Sequence, residues 1–181
     1  MKQIKLLEGP DNVGKTTLSN KLVRLKDARY FHMSYSSEID SYMYEYHLSS
    51  WVEILRSSIY HNVVMDRSII SALIYQHIYR DSIYDRPELL QLAQKIFDTI
   101  ASSKNIEVIL CLLPEDQWIN QFKKSQELEG KQEMYELDSK LIEVRNLYES
   151  LYTNKKIFGI PINFPIKLHD FLTSPINVNS L

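Results

Sequence analysis

Hydrophobic positions along this chain fall into two alternating patterns. Four short apolar runs read as strands buried on both faces: "IKLLEG" (4–9), "NVVMD" (62–66), "IEVILCLL" (106–113) and "KIFGIPIN" (156–163). A fifth run, "RYFHMS" (29–34), is more polar. Between these runs apolar residues return every three or four positions, the spacing of one helix face. Leu18, Leu22 and Leu25 mark a helix from Lys15, and Leu48, Trp51, Val52 and Leu55 mark another over 42–59. Further helices are predicted over 68–79, 87–102, 115–128 and 133–153, the last two flanking Gly130. Pro87 falls in a first turn, where a helix tolerates proline. Strands alternating with helices predict an α/β fold with a mostly parallel sheet covered on both faces. Ligands bind such sheets beyond the carboxyl ends of the strands.

Composition narrows this picture only a little. A length of 181 residues suits a single domain over 1–181, able to bury a core without disulfides or a structural metal. A net charge of −2 predicts no strongly basic face, so extended nucleic-acid binding is not expected. The single cysteine, Cys111, lies inside "VILCLL" and reads as a buried structural thiol. One cysteine forms no internal disulfide, which agrees with a reducing, cytoplasmic setting. Lys5 and Glu8 interrupt the early apolar run, against a secretory leader, and no stretch has the length and apolarity of a membrane span.

Candidate chemistry begins directly after the first strand. The chain has four glycines, and two of them fall in Gly9-Pro10-Asp11-Asn12-Val13-Gly14-Lys15-Thr16-Thr17. That segment fits G-x4-G-K-[ST], the phosphate-binding P-loop. Glycine permits the dihedrals that turn backbone N–H groups inward and lets them approach an anion closely. The following helix points its N-terminal amides and positive dipole end at the same place. Lys15 is placed to reach the β and γ phosphates of ATP, and the Thr16 hydroxyl to ligate Mg2+. A second strand-to-helix junction, "VVMDRSIISALIYQ", ends its strand in Asp66. A carboxylate beside the P-loop strand is placed to coordinate Mg2+ directly or through water. It could equally cap the helix that follows. Arg67 comes next, with a guanidinium suited to gripping a phosphate through two parallel hydrogen bonds.

Three segments resemble the thymidylate kinase family, within the nucleoside and nucleoside-monophosphate kinases. They are "LEGPDNVGKTT", "DRSIISALIYQ", and a stretch from "LLPE" (112–115) through "QEMYE" (132–136) to "LIEVRNLYESLY" (141–152). The resemblance implies a three-layer P-loop NTPase fold with a five-stranded parallel sheet and a helical lid at about 120–136. It implies ATP and Mg2+ as donor and a deoxynucleoside monophosphate as acceptor. Residue by residue, it implies that Gly9, Asn12, Val13, Gly14, Lys15, Thr16 and Thr17 hold the ATP phosphates. Thr16 and Asp66 would serve the metal. Asp11 would face the acceptor sugar, Arg67 its phosphate, and Ser71, Tyr75 and Gln76 the region of its base. A homodimer through "SALIYQHIY" or the 42–59 helix is a further implication, by analogy alone.

The departures from that family concern arginine. Asn12 occupies the P-loop position where relatives carry a catalytic arginine, and the lid segment has none, Met134 standing where some relatives place one. Its cations are Lys123, Lys124 and Lys131, of which Lys131 is the candidate to act in catalysis. The stretch between the second strand and Asp66 offers only Arg56, with His32 and His47, and is dense in tyrosine at Tyr35, Tyr42, Tyr44 and Tyr46. Those rings could wall a base site or simply pack a helix on the sheet. The sequence therefore reads as an ATP-dependent kinase of a deoxynucleotide, dTMP or a relative. One alternative is a kinase of a deoxynucleoside or modified-base hydroxyl, with Asp66 or Glu38 as base. A catalytically weak nucleotide-binding module is another.

Overall fold

The computed structural model describes residues 1–33, 41–128 and 139–169. In chain order these form β1 (Ile4–Glu8), α1 (Lys15–Lys26), β2 (Ala28–His32), α2 (Met43–Ser57), β3 (Asn62–Asp66) and α3 (Ile69–Tyr79). A 3-10 turn at Ile83–Asp85 leads into α4 (Pro87–Ser102), β4 (Ile106–Cys111), α5 (Glu115–Leu128) and α6 (Ser139–Asn154). The chain then runs through β5 (Lys156–Ile157), β6 (Ile160–Pro161) and β7 (Ile166–His169). One five-stranded sheet has the order β2-β3-β1-β4-β7, and all its pairings are parallel.

Side chains alternate across a strand, so each strand feeds both layers. Ile4 and Leu6, Val63 and Met65, and Val108 and Leu110 face a core shared with α2, α3, α4 and α6. Leu7, Val64, Ile109 and Cys111 face the other way, onto Leu18 and Leu22 of α1 and Trp118 of α5. This double burial is why the central strands read as unbroken apolar runs. Among the described residues no helix is long and apolar enough to cross a membrane.

One expectation needs correction. The run 156–163 is not a sheet strand. Phe158 (φ +47°) and Gly159 (φ +82°) reverse the chain, and Lys156–Ile157 pairs antiparallel with Ile160–Pro161. Its Ile157, Ile160 and Ile162 are apolar because they pack on the helical core, not because they join the sheet. The fifth strand of the sheet is Ile166–His169. This edge strand buries only its two end residues, and Lys167 and Leu168 hide it from an apolar-run criterion. The helix expected over 133–153 begins, among the described residues, at Ser139. Met134, Gly130, Lys131, Glu38 and Tyr35 lie outside the described residues, as does much of the lid expected at 120–136.

Candidate active site

The P-loop leaves β1 and turns into α1, with Gly14 (φ +84°) capping the helix and Gly9 at φ +141°. A Cβ on Gly9 would lie 2.2 Å from the carbonyl oxygen of Cys111, so the adjacent strand, as well as the dihedral, requires glycine there. Asn12 takes the left-handed φ of +60°. Val13 is buried in the core beneath the loop, and the Trp118 indole nitrogen donates to the Asp11 carbonyl at 2.8 Å. Helix α5 thus braces the phosphate loop directly through Trp118, which precedes the segment expected to form the lid. Lys15 is buried, and its ammonium donates to the carbonyls of Gly9 (2.8 Å) and Pro10 (2.5 Å). Burial lowers its pKa, as does Arg67, against the opposing charges of Asp11 and Asp66. Thr16 and Thr17 are exposed at the start of α1.

Strand β3 lies beside β1 with Leu7 opposite Asp66, so the two loops emerge side by side. The Arg67 amide donates to the Leu7 carbonyl at 2.9 Å and fastens them together. Asp66 is almost wholly buried at the sheet end. Its Oδ2 accepts from the Thr16 hydroxyl at 3.4 Å and the Tyr30 hydroxyl at 3.2 Å, with His32 Nδ1 3.7 Å away. Its Oδ1 is buried with no hydrogen-bond partner. A buried orphan carboxylate oxygen is costly unless something pairs with it. Capping is not its role, because Ser68 caps α3 by accepting from the Ile70 amide. A hard cation fits this oxygen and the Thr16 hydroxyl. Among the described residues no cluster of three or more acidic, histidine or cysteine side chains forms a metal cage. Such a pair suits Mg2+, which takes one or two carboxylates and completes its shell with phosphate and water.

Of the five residues expected on the acceptor side, Asp11, Arg67 and Tyr75 form one cluster. Arg67 adopts φ +69°, a strained value of the kind found at functional sites. Its guanidinium pairs with Asp11 and lies 4.8 Å from the centroid of the Tyr75 ring. The Tyr75 hydroxyl donates to Asp11 Oδ2 at 2.9 Å. Burial and the Asp11 charge push the Tyr75 hydroxyl well above its ordinary pKa, so it stays a donor. Asp11, Arg67 and Tyr75 line a cleft of about 460 Å3 together with His32, Met33, Tyr79 and Arg80.

Other expected residues sit elsewhere. Ser71 is buried, with its hydroxyl donating to Glu8 Oε2 at 2.6 Å and lying 2.6 Å from the Tyr148 hydroxyl of α6. The Gln76 amide reaches the Asp81 carbonyl at 3.5 Å. Neither lines the cleft. Lys123 and Lys124 lie exposed on α5. Tyr44 and Tyr46 pack against the core, and Arg56 lines a separate groove beside Phe31. "SALIYQHIY" is buried at Ser71–Gln76 and Ile78, which leaves it little face for a partner subunit. Met33, Tyr79 and Arg80 are the cleft residues not anticipated. Tyr79 follows Tyr75 by four positions, the helical spacing that would have flagged it. Glu8 also went unassigned. It is fully buried, its Oε1 lacks a hydrogen-bond partner, and burial raises its pKa against hydrogen bonds from Ser68 and Ser71.

Comparison with known proteins agrees with this architecture. No family model matches the chain. A protein of Acidianus bottle-shaped virus described as "Putative thymidylate kinase" is 37% identical over 81 residues, which is 44% of this chain and 51% of that protein. The match thus spans about half of that relative's length. Among solved structures, the YorR protein of Bacillus subtilis in complex with phosphorylated GDP aligns with a TM-score of 0.63 at 18% identity, covering 93% of this chain and 85% of that one. The deoxyadenosine kinase of M. mycoides with bound dATP aligns with a TM-score of 0.57 at 15% identity, covering 93% and 90%. The five-stranded parallel sheet flanked by helices is the fold of these P-loop kinases, and the chain is similar to thymidylate and deoxynucleoside kinases.

Proposed function

We propose that this protein is a P-loop kinase that moves the γ-phosphoryl group of ATP onto a deoxynucleoside monophosphate. The observation that carries the reading is the Asp11–Arg67–Tyr75 cluster, which joins the phosphate loop to the wall of a cleft. A simple ATPase has no need of a second cleft whose wall is hydrogen-bonded to its phosphate loop. Phosphoryl transfer demands positioning and charge neutralisation more than covalent help. Lys15, released from two loop carbonyls, neutralises the donor phosphates. Thr16 and Asp66 would hold Mg2+, which when bound would neutralise charge on the donor phosphates. Asp11 orients the acceptor sugar, and Arg67 holds its phosphate.

A second reading, a deoxynucleoside kinase, draws on the Asp11–Arg67 ion pair. An arginine already neutralised by a carboxylate has less charge to offer a phosphate. ADP release measured with ATP, Mg2+ and a panel of deoxynucleosides and their monophosphates separates the two. Turnover with monophosphates supports the first reading. Turnover with nucleosides alone replaces it with the second. Binding of ATP without acceptor-dependent turnover would leave a nucleotide-binding module and defeat both.

A further inference from the structure

Three successive carbonyl groups in the first half of the phosphate loop are engaged by buried donors. Lys15 donates to those of Gly9 (2.8 Å) and Pro10 (2.5 Å), and the Trp118 indole donates to that of Asp11 (2.8 Å). The two donors differ in what they do next. Under the proposed mechanism Lys15 leaves its carbonyls for the donor phosphates, while Trp118 stays. Trp118 is fully buried and shares a core with Leu7, Val13 and Leu18. Its helix is fixed at the start, where the Trp118 amide donates to the Pro114 carbonyl at 2.9 Å and the buried Arg145 of α6 donates to the Leu113 carbonyl at 3.3 Å. A side chain locked this way holds its partner to a narrow range of positions.

The consequence lies in the next amide. A trans peptide unit is planar and points its C=O and N–H in opposite directions. No peptide bond among the described residues is cis. With the Asp11 carbonyl turned to the buried indole, the Asn12 N–H points the opposite way, out of the core. Left-handed residues at Asn12 (φ +60°) and Gly14 (φ +84°) curve the loop so that such N–H groups gather around an anion. Position 12 offers no cation, so the loop grips phosphate through these amides and Lys15. The Asp11 carboxylate is held separately, by Arg67 and Tyr75. Losing the indole would therefore free the peptide and leave the side chain tied.

We propose that Trp118 is a positioning residue for the donor phosphates: from α5 its indole N–H fixes the Asp11–Asn12 peptide so that the Asn12 amide is presented to the phosphate chain. The inference rests on the reading of the loop as the ATP site.

The test is the Kd of ATP and of inorganic triphosphate, each with Mg2+ and without acceptor, for the wild type, Trp118→Phe and Ile109→Val. Trp118→Phe is expected to weaken both ligands by the same factor, about 2- to 10-fold, the equivalent of one hydrogen bond. Its acceptor KM should change little. Ile109→Val trims a fully buried aliphatic residue of the same core, and should keep both Kd values, which separates lost packing from the lost hydrogen bond. Wild-type affinities in Trp118→Phe, a loss for ATP without one for triphosphate, or an Ile109→Val variant equally impaired overturns the proposal. If Trp118→Phe fails to fold, the wild type carries the test. The chain has two tryptophans, so Trp51→Phe assigns the indole N–H resonance of Trp118. That resonance should shift when triphosphate is added, and an unmoved one overturns the proposal. A wild type that binds neither ATP nor triphosphate overturns the donor-site reading first, and the proposal with it. Intact ATP binding without acceptor-dependent ADP release defeats the kinase reading alone.

Discussion

Replacing Gly9 by alanine tests the placement of the phosphate loop against the neighbouring strand. The new Cβ would stand 2.2 Å from the Cys111 carbonyl oxygen, where contacts under 3.0 Å are essentially never seen, so β1 and β4 must part by about 0.8 Å at their ends. The nearest paired register is Glu8 opposite Leu110, so the parting opens the ladder at its last rung. Two costs add. A side chain at positive φ costs about 1–2 kcal/mol, and forcing bulk into a packed site costs about 1–3 kcal/mol more. For a chain of this size each kcal/mol lowers the melting temperature by about 2–4 °C, so Gly9→Ala should melt roughly 4–20 °C below wild type. Gly159→Ala is the control. Gly159 sits at φ +82° with nothing within 4 Å of its added Cβ, so it carries the dihedral cost without the clash. It should lose only about 2–8 °C and keep full activity. A loop displaced by nearly an ångström should cost Gly9→Ala about 100-fold in kcat. Thermal unfolding and kinetics at saturating substrates read both effects. If Gly9→Ala melts with Gly159→Ala and turns over normally, the close packing of the loop on β4 is wrong.

Three further predictions address charge. Lys15→Ala should abolish transfer while the far-ultraviolet circular dichroism stays native, and full activity would remove Lys15 from its role. Arg67→Ala should raise the acceptor KM with little change in the ATP KM, and Arg67→Lys should rescue it poorly because an ammonium lacks the bidentate fork. His47 is buried on α2, and burial lowers its pKa from 6.5 to about 4. Between those values the unfolded chain binds the proton and the folded one does not, so stability falls as pH falls through that window. Summed over the shift the loss is about 3 kcal/mol, measurable by urea unfolding between pH 7 and pH 4. A His47→Leu variant with the same pH slope would show that another group carries it.

What the sequence revealed follows from what each element buries. The central strands are covered on both faces, so their apolar runs marked them closely, and 62–66 is the strand observed. The edge strand Ile166–His169 is half exposed and offered no such run. Residues 156–163 offered one for a different reason, since a hairpin packed on a core needs the same apolar side chains as a strand. At the site, the P-loop and the Asp66-Arg67-Ser68 junction were legible because their spacing is local: backbone N–H groups and the side chains they serve lie within a few residues. Ser71 lies away from the cleft lining, because helical spacing gives a face but not what that face meets. Its neighbour proved to be Glu8, 63 residues away. Arg80 was missed for the same reason. It stands just beyond the end of α3, where only the path of the chain decides that it lines the cleft.

Helix α3 is where the parts of the site meet. Ser68 begins it beside Asp66 and Arg67, Ser71 ties it to the P-loop strand through Glu8 and to α6 through Tyr148, and Tyr75 and Tyr79 wall the cleft. Ser71, Tyr75 and Tyr79 follow one another at four-residue spacing on one face of α3, buried at Ser71 and Tyr75 and open to the cleft at Tyr79. A displacement of α3 would therefore move the cleft wall and strain the phosphate loop together. That geometry favours a fixed α3 and places variation at the exposed end, where Tyr79 and Lys140 touch. Glu8 bears on the same point. Its raised pKa means that above its ordinary value near 4.5 the folded chain holds a proton the unfolded chain has lost, so this carboxyl opposes folding increasingly as pH rises. Glu8 directly precedes Gly9, and its carboxyl group, hydrogen-bonded to Ser71, ties the phosphate-loop strand to the helix that walls the cleft.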